Sequence, residues 1–250
     1  MASDPEARLD LTRPRVYGEL LSTSVQIFTR HADVLFTLAI LLVAPVTLIV
    51  DGIWGRLLAD GLDAKPSTAS QAVSAGLNVL VVLPLMTAAG ALLVRGLGRG
   101  DAPADVRSAL RSASGAFPRV LGAQLLYAVV VVVGFILLVV PGVYLAVRCY
   151  FATQAAAVDG LAPPAAMRRS ADLVHGSWWR TLGCLLLTGL LVGATVEIAI
   201  AILGATGSGA LYVAGRVVGQ AIAVAVTAVF ATLLFYDLQA RGERAAVAAG

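Results

Sequence analysis

Six apolar runs of 16 to 27 residues take up more than half of this 250-residue chain: Val34–Val50, Ala72–Val94, Val120–Val140, Val143–Val158, Leu182–Leu203 and Ala210–Tyr236. Each is near the length that crosses a hydrocarbon core as a helix. The run Val129–Val133 has strand propensity in water, but in lipid the backbone must satisfy itself within a helix or a closed barrel, and the run lengths select helix. The chain is therefore expected to be an all-α integral membrane protein. With 59% hydrophobic and 13% charged residues, and six spans to build, it has no room for a soluble catalytic domain of ordinary size. A non-enzymatic protein without cofactor is the expectation.

The basic residues give the orientation. Arg8, Arg13, Arg15 and Arg30 precede the first run; Arg95, Arg99, Arg107, Arg111 and Arg119 follow the second; Arg168, Arg169 and Arg180 follow the fourth; Arg241 and Arg244 close the chain. The alternate segments hold only Arg56 and Lys65. Basic residues stay on the cytoplasmic side, so both termini are expected there. Aromatic residues fit the same scheme, with Phe117, Trp178, Trp179 and Tyr236 at the inner boundary and Trp54, Tyr144 and Tyr212 at the outer. The first fifteen residues are polar and lack an apolar core with a small-residue cleavage site, so no secretory signal is expected. They read as a disordered N-terminus, 16–240 as a single six-span domain, and 241–250 as a short cytoplasmic tail. The arginines are scattered without interleaved aromatics, which argues against a nucleic-acid partner.

An internal repeat organises the chain. Ala102–Leu125 aligns without gaps on Pro163–Leu186, with Pro103/Pro164, Arg107/Arg168, Gly115/Gly176, Arg119/Arg180 and Gly122/Gly183 among eight identities. Each copy is read as a short amphipathic helix in the inner interface that starts at proline and breaks at glycine before entering the membrane. A weaker third copy, Val16–Thr29, precedes the first span, with Val16, Leu20, Leu21, Ile27 and Phe28 as its apolar side. The predicted unit is thus an interfacial helix plus a transmembrane hairpin, three times over. Pro45 and Pro84 are expected to kink spans 1 and 2, and Pro141-Gly142 to turn the chain between spans 3 and 4.

The segments Val140-Pro141-Gly142-Val143-Tyr144-Leu145-Ala146-Val147-Arg148, Val158-Asp159-Gly160, Ala166-Met167-Arg168-Arg169-Ser170 and Gly176-Ser177-Trp178-Trp179-Arg180 carry a resemblance. They are similar to the membrane domain of some bacterial glycerophosphoryl diester phosphodiesterases and of related uncharacterised six-helix membrane proteins. The close Phe235-Tyr236-Asp237-Leu238 resembles that of the same group. The chain departs in carrying Asp159 where the pattern expects glutamate, and in having no attached phosphodiesterase domain. What the resemblance implies is a six-span protein of the bacterial plasma membrane, with a role in lipid metabolism or as a membrane accessory, and no transferred activity.

Three full charges stand inside apolar runs: Arg148, Glu197 and Arg216. Glu197 and Arg216 flank the turn near Gly207 at similar distances, so a hairpin brings them to one depth in the outer half, where Arg148 can complete a triad and Asn78 can join it. Gly189, Gly193 and Glu197 share one helix face, and Gly215 and Gly219 another, which allows spans 5 and 6 to approach closely. Two readings of the cluster stand side by side: a polar site for an anionic head group or a proton, which makes the chain a small transporter or lipid-handling protein, and a packing ion pair with Arg216 snorkelling outward. Asn78 is equally accounted for by an interhelical hydrogen bond. Arg107, Arg111, Arg168, Arg169 and Arg180 are candidate contacts to anionic lipid, and positive-inside retention explains them as well. His31 and His175 have no companions at metal-ligand spacing, so no metal site is expected, and Cys149 and Cys184 read as small buried hydrophobes. Membrane lipids are the expected partners. A membrane-protein partner and a homo-oligomer both stay open. The reading that follows is an accessory or scaffold protein, with transport or lipid handling as the alternative.

Overall fold

The computed structural model describes residues 9–49, 76–101, 105–204 and 209–249. Every regular element among them is helical: α1 (Tyr17–Arg30), α2 (Ala32–Thr47), a π turn (Asn78–Val82) leading into α3 (Leu83–Arg99), α4 (Val106–Leu137), α5 (Val139–Arg148), α6 (Ala152–Val158), α7 (Pro163–Val174), α8 (Trp178–Gly204) and α9 (Gly209–Ala249). Four helices are long and apolar enough to cross a membrane, or up to five if α1 and α2, bent by 85° about His31, count as one broken span. The chain is a helical membrane protein.

The amphipathic α1 buries Leu20 and Ile27 as its pattern predicts, and Tyr17 meets Phe230 of α9 edge-on with ring centroids 6.0 Å apart. Val16, expected on the apolar side, is 71% exposed because it precedes the helix as its N-cap. Pro84 sits at the start of α3 directly after the π turn, where the N–H of Leu83 reaches back to the carbonyl of Asn78. Widening the helix there accommodates the proline without a break in the chain's helical course. The long α9 lies against α1, α2, α3 and α8 and supplies the bulkiest core residues, Phe230, Leu233, Leu234 and Phe235. Gly90 of α3 meets α9 so closely that a Cβ there would stand 3.0 Å from the Cβ of Ala228 and 3.3 Å from its backbone carbon.

The two repeat copies fold differently. The second behaves as expected, since α7 starts at Pro163, the chain turns through Gly176 at φ +78° and α8 begins at Trp178. The first does not break: α4 runs unbroken through Gly115 and Pro118, fusing the predicted interfacial helix to the third span in 32 residues. Ser177, a residue type that favours a helix start, occupies the place where the first copy has Ala116, which offers no capping oxygen. Asp105 instead caps α4 eleven residues earlier, accepting from the Ser108 N–H at 2.9 Å.

The fourth predicted span is also corrected. The turn after α4 falls at Leu138, and Pro141 and Gly142 lie inside α5. Gly142 passes against Phe135, where a Cβ would stand 2.6 Å from the ring, and Gly134 against Gly142, where it would stand 3.0 Å from the Gly142 Cα. Ten residues of α5 rise about 15 Å, half a bilayer. The helix then stops because the hydroxyl of Ser170, fully buried on α7, enters its ladder: Ser170 Oγ donates to the Arg148 carbonyl at 2.9 Å and accepts from the Phe151 N–H at 3.0 Å. The chain resumes as α6, all seven of whose residues are buried. Ser170→Ala removes the side chain that serves both backbone groups and is expected to lower stability by about 2 kcal/mol. Denaturant titration in detergent micelles checks this, and an unchanged midpoint would show that the break is set by some other contact.

Candidate functional site

The outer-half cluster drawn from the sequence does not assemble. The Arg148 guanidinium donates to the Tyr144 hydroxyl at 2.9 Å and lies 5.7 Å from the Tyr144 ring centroid. Tyr144 stacks on Trp178, centroids 5.9 Å apart, and its carbonyl accepts from Trp178 Nε1 at 3.3 Å. Tyr144 and Trp178, assigned to opposite boundaries, therefore occupy one level, as follows from the break of the fourth run after Arg148. Glu197 lies nineteen residues beyond Trp178 on α8, about 28 Å along the axis, so Arg148 and Glu197 cannot share a ligand. Glu197 and Arg216 do lie at similar depth, because Val196 faces Gly219 and Leu203 faces Gly215 across the α8/α9 pair. Yet Glu197 is exposed, and no ion pair between the two occurs among the described residues. Asn78 opens the π turn, an element that packs against α2 and α4. Of the predicted small-residue faces, Gly215 and Gly219 do meet α8, whereas Gly189 and Gly193 face open space.

Buried charge gathers instead at the other end of the bundle. Asp237 of α9 is 0% exposed and accepts three donors: the backbone N–H of Arg15 at 2.5 Å, Nη1 of Arg180 at 2.6 Å and Nε of Arg241 at 3.0 Å. Nη2 of Arg180 and Nη2 of Arg241 also donate to the Arg15 carbonyl, at 2.8 and 2.9 Å. Arg15 is 3% exposed and its own Nη2 donates to the Asp10 carbonyl. Burial pulls the Arg15 guanidinium below its ordinary range, with Arg13 adding to the effect, yet a guanidinium remains charged throughout. Two guanidinium groups and one backbone N–H thus close around one carboxylate and tie the N-terminal segment, the start of α8 and the end of α9 together. Residues 9–15, expected to be disordered, are packed: the Leu9 N–H bonds the Leu97 carbonyl at 3.3 Å, and Leu11 lies where a side chain on Gly98 would be. The predicted tail at 241–250 continues α9 as far as Ala249.

A second set of arginines holds the turn between α6 and α7. Arg95 donates to the Val158 carbonyl at 2.7 Å, Arg119 to the Gly160 carbonyl at 3.3 Å, and Arg169 pairs with Asp159 at 3.7 Å. Gly160 has φ +68°, the left-handed region that a side chain would strain. Among the five candidate lipid contacts, Arg180 is therefore committed to Asp237 and Arg169 to Asp159, while Arg107, Arg111 and Arg168 are exposed. Sequence reading missed Arg15, Asp237 and Arg241 as a unit. The one signal available was Asp237 itself, an acidic residue directly after an apolar run.

A family model described as a domain of unknown function, DUF7847, matches residues 20–238. The chain belongs to that family. No curated protein and no solved structure matches it. The DUF7847 match takes in Arg180 and Asp237, and Arg15 and Arg241 flank it on either side. No group of three or more His, Cys, Asp or Glu able to hold a metal occurs among the described residues. The sole carboxylate of the knot already accepts three donors, so its chemistry is that of a fastener.

Proposed function

We propose that this chain is a non-enzymatic polytopic protein of the bacterial plasma membrane, an accessory or scaffold in an envelope or lipid process. Its basic end faces the cytoplasm with both termini. The three-hairpin plan of six crossings belongs to this proposal, with α5 and α6 together forming a broken fourth crossing. The Asp237 knot is the observation that supports the reading: the buried charges of the bundle bind its own backbone and side chains, which suits a part that must hold its shape. The resemblance to phosphodiesterase membrane domains points the same way, towards a membrane partner for a separate activity. The competing reading, a small transporter using Arg148, Glu197 and Arg216, needs these residues at one site.

Extraction of the full chain in its native membrane patch, followed by mass spectrometry of co-purifying lipid and protein, tests this. A stoichiometric protein partner is the expected result. Purification alone, with substrate accumulation in vesicles that depends on Glu197, would overturn the scaffold reading in favour of transport.

A further inference from the structure

A cleft of about 390 Å³ opens at the basic end, between the N-terminal segment, the last turn of α3 and Tyr236 of α9. Its cationic wall is Arg95 and Arg99, four residues apart on one face of α3, a spacing that sets their Cβ atoms about 6 Å apart. Arg95 is fixed by its bond to the Val158 carbonyl, while Arg99 makes no hydrogen bond or ion pair among the described residues. The opposite wall carries Asp10 and Thr12. The Asp10 carboxylate is engaged locally, accepting from the Thr12 N–H at 2.9 Å and the Thr12 hydroxyl at 2.7 Å, and these bonds hold it below the usual carboxylate range. Behind that wall lies the buried Arg15 side chain, whose Nη1 has no hydrogen-bond partner. Gly98 lets Leu11 pack against α3 at the cleft: a Cβ there would stand 2.5 Å from a Leu11 methyl carbon, so a bulky side chain would displace Leu11.

Two arginine forks on one face, with a third guanidinium behind the opposite wall and only one carboxylate, already bonded, favour a compact polyoxygen anion. The cleft sits where the apolar stretch of α3 gives way to Arg95 and Arg99, beside an aromatic residue of the kind that marks a membrane boundary. We propose that it binds a phosphate group, carried either by an anionic phospholipid head group or by free phosphate. This goes beyond the scaffold reading, and each can fail without the other.

The test uses the full chain in detergent, with short-chain phosphatidylglycerol and inorganic phosphate as probes, measured by calorimetry. Saturable binding of phosphatidylglycerol is expected, weakened about tenfold by Arg99→Gln, as for the loss of one charge-assisted pair. Arg107→Gln, which removes an exposed arginine from α4, should leave it unchanged. Arg99 has no partner to lose among the described residues, so Arg99→Gln should melt with the wild type; Gly98→Leu should weaken binding with both arginines intact. Competition by inorganic phosphate would assign the site to the free anion, and failure to compete would assign it to lipid. Absence of saturable binding to either probe, or equal weakening by Arg107→Gln and Arg99→Gln, would overturn the proposal.

Discussion

Asp237→Ala is expected to lower stability by about 3–5 kcal/mol, the usual cost of removing one partner from a buried charge assembly. The effect is large because the carboxylate is fully buried and its loss strands several groups together: the Arg15 N–H, and the guanidinium groups of Arg180 and Arg241, left facing one another beside Arg15. Arg180→Met should cost less, since Arg180 is partly exposed and leaves Asp237 with two donors. Denaturant titration in mixed micelles reads both. Equal losses for the two variants would mean that the knot works through packing, with charge balance of little account.

Gly90→Leu is expected to reach or pass the upper end of the range of about 1–3 kcal/mol typical of overpacking. A Cβ at residue 90 already presses on the side chain and backbone of Ala228, and neither α3 nor α9 can retreat without opening the core around Met86, Leu93 and Leu234. Gly193 provides the contrast. Nothing lies within 4 Å of a Cβ there, so Gly193→Ala should gain about 0.5–1 kcal/mol from the reduced backbone freedom of the unfolded chain. A loss on Gly193→Ala would place a second surface against this face of α8 in the assembled protein.

The contrast shows where sequence stops informing. Both glycines lie in apolar runs, and the sequence singled out Gly193 as part of a small-residue face and not Gly90; only the course of a distant helix separates them. All-helical membrane architecture was legible because it follows from local facts, above all apolar runs of 16 to 27 residues, a length that selects helix in lipid. The end of α5 was not legible, because the group that terminates it, Ser170, comes from a helix on the far side of the break. Nor was the fusion of α4, since Gly115 and Gly176 are matched glycines and the difference rests on the neighbours Ala116 and Ser177. The charge cluster failed for a similar reason. Depth counted from a turn aligned Glu197 with Arg216, but the turn before Arg148 falls at Leu138, and the chain breaks directly after Arg148 and so leaves it at the level of Trp178. Asp237 was passed over because its partners Arg15 and Arg180 stand 222 and 57 residues away.

The hydroxyl of Ser170 also sets a mechanical condition. Because one side chain closes two backbone bonds across the interruption between α5 and α6, α7 cannot slide along the bundle on its own. Any displacement either carries the interruption with it or opens both bonds at once. A load applied to α7 from the water side is thereby transmitted to the apolar interior through a coupling one atom wide.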